Sequence, residues 1–283
     1  MFQPDCAHRS SAPEQADPLT QARPDCQRSP APSRTHIDNP AGQAGIPPPE
    51  AGSSPGWPVV LYFHHVHPDL RHYTSVSPVA FDRALAQVGE QLAPLLPQTL
   101  PFLREAGGHP KPASLLTFDD GYADVFHYAL PIMERRGWRA IVFVATEFVG
   151  KIEQHPVRGP LQHMTWEQLE ELTRRGHIVA SHGSAHVPYS RLDLEAAQLD
   201  IDNAQRVLQE RLPDAPDWLA YPFGELPRGE LRFPSLCFGS IKAAVRAWNT
   251  APHNIRRTYL PADEPQRWDR CITEWRRTWD ESR

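Results

Sequence analysis

The residues best suited to chemistry in this sequence are two adjacent aspartates and two histidines spaced four positions apart. Asp119 and Asp120 precede Gly121, and His182 and His186 enclose a Gly-Ser-Ala segment. Successive side chains of an extended segment point in divergent directions, so one carboxylate can bind a metal ion while the other accepts a proton. A carboxylate with two imidazoles is a ligand set for Zn²⁺, or for Fe, Co or Ni ions, with positions left for water.

Simpler interpretations of these residues exist. An Asp-Asp-Gly run is by itself typical of a turn with a helix cap, and an isolated histidine usually lies at the surface or in a satisfied core site. The histidine spacing also matches the helical HExxH zinc motif. That interpretation fails because the glutamate is absent and because Gly183 and Pro188 favour a loop over a long helix.

Each of these polar groups directly follows a short apolar run of the kind that forms a buried strand. The predicted strands cover residues 59–63, 114–118, 139–145, 178–180 and 218–221. His64 follows the first, Asp119–Asp120 the second, His182 the fourth and Tyr221–Pro222 the fifth. Because parallel α/β sheets and barrels bind ligands at the carboxyl ends of their strands, we expect these side chains to meet there.

Amphipathic helices are predicted between the strands. One begins at Ser77, and a second runs from Tyr122 to Arg136 despite Pro131. A third begins at the capping box Thr165–Gln168, and the longest covers residues 194–208. Strands that alternate with helices indicate an α/β fold with a parallel sheet, either open or closed into a barrel.

Composition excludes several classes of protein. The 283 residues carry a net charge of −5 and a mean hydropathy of −0.52, so we expect no nucleic-acid partner. No apolar run approaches the roughly 18 residues of a membrane span. No Gly-rich phosphate loop supports a nucleotide-binding or oxidoreductase function. The scattered cysteines argue against a disulfide scaffold and a cysteine zinc site: Cys6, Cys26, Cys237 and Cys271.

Residues 1–56 differ from the rest of the chain. They include eleven prolines and few large apolar residues, which predicts a disordered tail followed by a catalytic domain over residues 57–283. No apolar stretch typical of a signal peptide follows the start. We therefore expect a cytoplasmic location for the chain as it stands, and an extracytoplasmic one if the start codon is misassigned.

Three motifs, in order along the chain, resemble those of the polysaccharide deacetylases, carbohydrate esterase family 4. They are Leu116–Tyr122, Ser181–His186 and Ala220–Gly224. Two further segments, Tyr62–Val66 and Ile255–Arg257, look like the branch of the family that includes poly-N-acetylglucosamine deacetylases. The resemblance covers roughly residues 57–259, and the ordered set is far more specific than any one motif.

The resemblance implies a distorted or incomplete (β/α) barrel of about seven parallel strands. It also implies that Asp120, His182 and His186 hold one divalent metal ion, zinc in the first place and cobalt, nickel or iron otherwise. Asp119 would be the general base that deprotonates a metal-bound water, which then attacks the N-acetyl carbonyl of a glycan substrate. The metal and a backbone N–H near Tyr221 would stabilise the oxyanion. The oligomeric state stays open.

The sequence departs from the family pattern at two places. Many members carry an arginine at the position of Ala220 to orient the base; Arg257 is the candidate substitute, and a surface ion pair is its alternative role. The late Leu-x-His motif, whose histidine protonates the leaving amine, is not recognisable. Four histidines are candidates for that proton donor: His64, which we place with Asp119 and Arg257 as catalytic, and His65, His67 and His253.

Aromatic residues beside the motifs are candidates for sugar contacts. We assign substrate binding to Tyr221, Pro222, Tyr122 and Trp166. The C-terminal tryptophans either line a sugar site or pack a helix: Trp268, Trp275 and Trp279. Two alternative functions remain open. The same site could hydrolyse O-acetyl esters or a small cyclic amide, or the chain could be a glycan-binding homologue with weakened catalysis.

Overall fold

The computed structural model describes residues 48–71, 75–229 and 231–281. Its centre is a parallel sheet of seven strands, in the order β1-β5-β6-β9-β10-β11, with β4 also paired with β5. Two small two-stranded sheets, β2–β3 and β7–β8, lie outside it. In chain order the strands are β1 (Val59–Phe63), β2 (His65–Val66), β3 (Ser75–Val76), β4 (Ala93–Pro94), β5 (Ala113–Phe118), β6 (Ala140–Val144), β7 (Ile152–His155), β8 (Gly159–Gln162), β9 (Ile178–Ser181), β10 (Trp218–Ala220) and β11 (Leu236–Phe238).

The central strands are apolar along their whole length because both faces of the sheet are covered. Every residue of β1, β5 and β6 is buried, as expected for a parallel sheet between two layers. All five strands predicted from the sequence are present. β11 is too short, and the segment before it too rich in proline, for the apolar pattern to predict it.

A short irregular segment joins the two edges of the curled sheet. Thr258 pairs with Leu61 of β1, and Ile255 pairs with Phe238 of β11. The Tyr62 amide donates to the Thr258 carbonyl oxygen at 3.0 Å. The predicted fold, a distorted or incomplete barrel, is confirmed, and the closing segment 255–258 carries two arginines towards the interior.

Six α-helices surround the sheet within the described residues: α1 (Pro78–Gln91), α2 (Leu100–Glu105), α3 (Leu130–Arg135), α4 (Trp166–Arg174), α5 (Leu194–Arg211) and α6 (Trp268–Asp280). Ser77 caps α1, and the capping box predicted for α4 is present, with Thr165 and Gln168 bonded reciprocally. None of these helices combines the length and the apolar character needed to cross a membrane.

The helix predicted from Tyr122 to Arg136 is corrected. Residues Val125–Ala129 form a π-helical turn, and the regular helix α3 begins only at Leu130. Pro131 has no N–H to donate to the preceding turn, and its ring would clash with the carbonyl four residues earlier, so the chain widens there.

The C-terminal tryptophans pack helix α6 onto the body of the protein. Trp268, Trp275 and Trp279 are buried, and the first two belong to the largest apolar cluster. The packing alternative for these residues is therefore the correct one. The ring of Trp275 also donates from Nε1 to the Pro49 carbonyl oxygen at 3.1 Å.

The predicted start of the folded region at Trp57 is nine residues too late, because residues 48–56 pack against the body. Glu50 pairs with Arg267 at 2.5 Å. Arg256, a buried residue of the closing segment, donates to the carbonyl oxygens of Ala51 and Pro48 and to those of Ile241 and Ala243. Residues 1–47 of the predicted tail lie outside the described residues.

A buried histidine, His177, lies between α4 and β9, at the amino end of that strand and thus at the edge of the sheet opposite the motifs. The Ala140 amide donates to Nδ1 of His177 at 3.2 Å. Burial, with the charges of Arg139 and Arg175, lowers the pKa of His177 to about 3. Below the ordinary pKa of 6.5 the unfolded chain binds a proton that the folded protein does not take up, so the folded state loses stability as the pH falls towards 3.

We expect His177→Asn to remove this pH dependence while keeping an acceptor for the Ala140 amide. Relative to the variant, the unfolding free energy of the wild type should decrease by up to about 1.4 kcal/mol per pH unit between pH 6 and pH 4. Urea denaturation of both metal-free proteins at a series of pH values measures the difference. If the unfolding free energies of the two proteins change equally with pH, His177 does not titrate as described.

Candidate active site

The motif residues converge at the carboxyl edge of the sheet, as the sequence predicts. Asp119 and Asp120 follow β5, His182 follows β9, and His64 follows β1. A cavity of about 410 Å³ opens at this edge and is lined by these four side chains. His186 and Arg257 also line it.

Asp119 is held by a buried two-pronged ion pair. Nη1 of Arg257 donates to Oδ1 at 2.5 Å, and Nη2 donates to Oδ2 at 2.7 Å. Both side chains are almost fully buried. The guanidinium also donates to the Gly239 carbonyl oxygen at 2.6 Å and to Thr117 Oγ1 at 3.2 Å. Burial acts to raise the pKa of Asp119, but the Arg257 charge outweighs it, and the pKa lies below its usual value.

Asp120 faces two imidazole nitrogens instead of a cation. Its Oδ1 lies 3.3 Å from Nε2 of His182 and 3.1 Å from Nε2 of His186. This oxygen is buried and receives no well-formed hydrogen bond from the described part of the chain. Nδ1 of His182 contacts the Ala220 carbonyl oxygen at 2.8 Å. Since a carbonyl only accepts, Nδ1 carries a proton, and Nε2 is the ring nitrogen directed at Asp120.

These three side chains fit a metal ion. One ligand atom from each of Asp120, His182 and His186 lies within 4.8 Å of the other two. Two imidazole nitrogens lie around a buried carboxylate oxygen that receives no well-formed hydrogen bond, which favours a cation between the three atoms. The contact that the second ring nitrogen of His182 makes with a carbonyl is usual for metal-binding histidines. The donor set suits zinc and neighbouring transition metals.

Backbone strain is concentrated in the same place. Asp120, His186 and Phe223 adopt left-handed conformations, with φ of 69°, 53° and 60°, which are unfavourable for residues with a Cβ atom. Phe223 lines the cavity and packs against His186, with ring centroids 4.7 Å apart and the ring planes tilted by 36°. The Phe223 position follows from the third motif, but neither its strain nor its ring contact is predictable from sequence.

Three of the predicted substrate-binding residues do not line the cavity. Tyr221 is buried, with its O–H donating to the His253 carbonyl oxygen at 2.9 Å and its N–H to that of Phe238 at 3.0 Å. Pro222 is buried beside it. Trp166 packs against the core under the guanidinium of Arg211, at 5.6 Å. Tyr221 therefore contacts protein in place of sugar, and Trp166 is half-buried against the core.

Tyr122 does line the cavity, as predicted. Its ring stacks on His65 with centroids 4.1 Å apart, and its O–H donates to Oε2 of Glu153 at 3.3 Å. Glu153 and Arg158 come from the β7–β8 hairpin, which the sequence analysis missed. The two strands of the hairpin are largely polar. No apolar pattern in the sequence therefore marks them.

The four candidate proton donors have different surroundings. His64 lies in the cavity, with Nε2 at 3.9 Å from Oδ2 of Asp120. Burial lowers the pKa of His64 to about 4, although the charges of Asp120 and Asp119 act in the opposite direction. His65 Nδ1 lies 2.6 Å from Oδ2 of Asp124, and His253 is stacked on the Phe233 ring. His67 lies beside Tyr128 in a neighbouring pocket.

Comparison with known proteins shows which family part of the chain is similar to. Residues 106–231 match the family profile described as polysaccharide deacetylase. YxkH of Bacillus subtilis (strain 168), a protein provisionally assigned as a polysaccharide deacetylase, is 26% identical over 110 residues. That alignment covers 39% of this chain and 36% of YxkH, so the match spans about a third of the relative's length.

Solved structures share the fold. IcaB from Ammonifex degensii superposes with a TM-score of 0.67 and 23% identity, over 80% of this chain and 99% of IcaB. The deacetylase PplD of Streptococcus pyogenes, solved in complex with acetate, gives a TM-score of 0.63 and 18% identity, over 76% of this chain and 97% of PplD. These structures show the fold, and the profile match over residues 106–231 shows that this part of the chain is similar to the polysaccharide deacetylase family.

The geometry of the ion pair leads to a prediction about stability. Arg257→Met should reduce the unfolding free energy by about 3–5 kcal/mol, because Asp119 is left charged, buried and unpaired. Chemical denaturation at pH 7 measures the loss. In an Asp119→Asn background the same change should be less costly by roughly 2 kcal/mol. If Arg257→Met lowered the unfolding free energy equally in both backgrounds, Arg257 and Asp119 would have no interaction energy.

Proposed function

We propose that the protein is a metal-dependent hydrolase that removes N-acetyl groups from an N-acetylglucosamine-type glycan and releases acetate. The observation that carries the proposal is the cluster of Asp120, His182 and His186 beside an Arg257-bound Asp119 in one cavity. Similarity to the polysaccharide deacetylase family and the acetate bound to the deacetylase PplD support the same chemistry.

Asp120, His182 and His186 would hold the metal ion, with zinc as the first candidate and cobalt, nickel or iron as the others. Such an ion would supply Lewis acidity, which makes a water molecule more acidic and an amide carbonyl more electrophilic. Asp119 and Asp120 both line the cavity, so the proposed base and the proposed metal ligand can act on the same substrate group.

Asp119 is the candidate general base. Each of its oxygens accepts one hydrogen bond from Arg257, and each keeps a second lone pair that can take a proton. The guanidinium fixes the orientation of the carboxylate, which is the role assigned in the family to an arginine at the position of Ala220. Arg257 therefore supplies this function from the closing segment, on the other side of the cavity.

Two further groups complete the proposed chemistry. The Tyr221 N–H is occupied by Phe238, and the next N–H along the chain, since Pro222 has none, is that of Phe223. Phe223 lines the cavity, so we assign its N–H as the donor to a developing oxyanion. His64 is the one of the four candidate histidines that shares this cavity with Asp119, so we assign it the proton transfer to the leaving amine. Because its pKa is lowered to about 4, it would have to receive the proton that Asp119 accepts before passing it on.

We expect Asp119→Asn to lower kcat for acetate release by at least about 100-fold, because the amide cannot take the proton. The assay supplies N-acetylglucosamine oligomers to zinc-, cobalt- or nickel-loaded protein and quantifies acetate. Asp202→Asn, an exposed change on α5, is the matched control and should retain wild-type activity. Metal content should be unchanged in both variants, since neither residue is a proposed ligand.

The outcomes separate the remaining functions. Acetate from O-acetylated sugars but not from the N-acetyl oligomers would favour the esterase alternative. Stoichiometric metal with no turnover on any acetylated substrate would indicate a glycan-binding homologue. Equal activity of Asp119→Asn and wild type would exclude Asp119 as the base.

A further inference from the structure

The loop that carries the two histidines has its backbone polar groups bonded from two sides. On one side, the amides of Thr146 and Glu147 donate to the carbonyl oxygens of Gly183 and Ser184 at 3.2 and 3.0 Å. Ser181 Oγ accepts from the Gly183 amide at 3.1 Å. The loop is therefore held at its carbonyls by the segment that follows β6.

The other side of the loop is held by one carboxylate on α5. Oδ2 of Asp200 accepts from the Ser184 amide at 3.0 Å, and Oδ1 accepts from the Ala185 amide at 3.0 Å. Tyr189, which is fully buried, donates its O–H to Oδ2 at 2.8 Å. Asp200 has no cation partner within the described ranges, so its bonds are all to this loop and to the tyrosine.

Gly183 shows how closely the carboxylate approaches the loop. A Cβ atom at this position would lie 2.6 Å from Oδ2 of Asp200 and 2.7 Å from the Tyr189 hydroxyl. The residue also has a φ of +77°, which glycine adopts without strain. The glycine between the histidines thus provides the space that the carboxylate occupies.

The two amides that Asp200 binds lie directly before His186. That histidine has a left-handed backbone, which is unfavourable for a residue with a side chain, so external bonds must maintain it. Without them the loop could relax and move Nε2 of His186 away from Asp120, which lies 3.1 Å from it.

We propose that Asp200 is a positioning residue for the histidine pair: its carboxylate fixes the backbone between His182 and His186, and Tyr189 fixes the carboxylate. The inference rests on the proposed metal site, because it states how that site keeps its shape. Asp200 touches neither imidazole and acts only through the loop.

The test compares Asp200→Asn with Asp202→Asn, an equivalent change on the same helix whose carboxylate pairs with exposed Arg232. An asparagine can accept at only one of its two positions, so one loop amide loses its partner. Competition with a chelator should show zinc bound about 10-fold more weakly by Asp200→Asn, and within twofold of wild type by Asp202→Asn. The visible spectrum of the cobalt-loaded protein should change for Asp200→Asn alone.

A double-variant cycle separates positioning from general destabilisation. Tyr189→Phe should weaken zinc binding by a few-fold in the wild-type background and by much less in the Asp200→Asn background, because Tyr189 acts through Asp200. If the two substitutions acted independently on the structure, their effects on the free energy of zinc binding would add in the double variant. All affinities are measured at a temperature where circular dichroism shows every metal-free variant to be folded.

Amide hydrogen exchange provides a readout that does not need the metal. In the metal-free protein, the Ser184 and Ala185 amides should exchange at least 10-fold faster in Asp200→Asn than in Asp202→Asn. Unchanged exchange, or unchanged zinc affinity in a wild type that binds zinc, would overturn the role of Asp200. A wild type that binds none of zinc, cobalt, nickel and iron would overturn the proposed function, and with it this role, even if exchange responds as expected.

Discussion

The buried ion pair between Arg257 and Asp119 connects the segment that closes the sheet to the end of β5. Removing two charges from water is costly, and such a pair is favourable only when its geometry is good and its remaining donors are satisfied. Here the guanidinium meets both carboxylate oxygens, a carbonyl and a hydroxyl, and packs on the Tyr62 and Phe143 rings. The same contacts therefore close the barrel and orient the proposed base.

The two neighbouring aspartates are chemically distinct because their surroundings differ. Asp119 has all its partners within the protein, so its position is set before any ligand enters. Asp120 faces the Nε2 atoms of His182 and His186 and receives no well-formed hydrogen bond on Oδ1 from the described residues. One carboxylate is thus suited to exchange a proton and the other to bind a cation. The reversal of chain direction at Asp120, with its positive φ, is what separates them.

Much of the fold and the site follows from local sequence patterns. Apolar runs that end in polar residues predict the strands and place Asp119, Asp120 and His182 at one edge, because strand direction in a parallel sheet fixes which end they share. Contacts that depend on tertiary packing are not encoded in this way. Trp166 is expected to contact sugar yet lies half-buried against the core, and the largely polar β7–β8 hairpin carries no apolar pattern. The interior position of Arg257 follows from a resemblance, whereas its bonding partners required the structure.

Arg256 gives the amino-terminal part of the described chain a share in shaping the cavity wall. Its guanidinium binds carbonyls of residues 48 and 51 and also those of Ile241 and Ala243, and Ile241 lines the cavity. A shortened protein starting at Trp57 would expose part of this guanidinium and release one side of the wall. Expression boundaries chosen at the first strand would thus disturb a region of the active site far away in sequence.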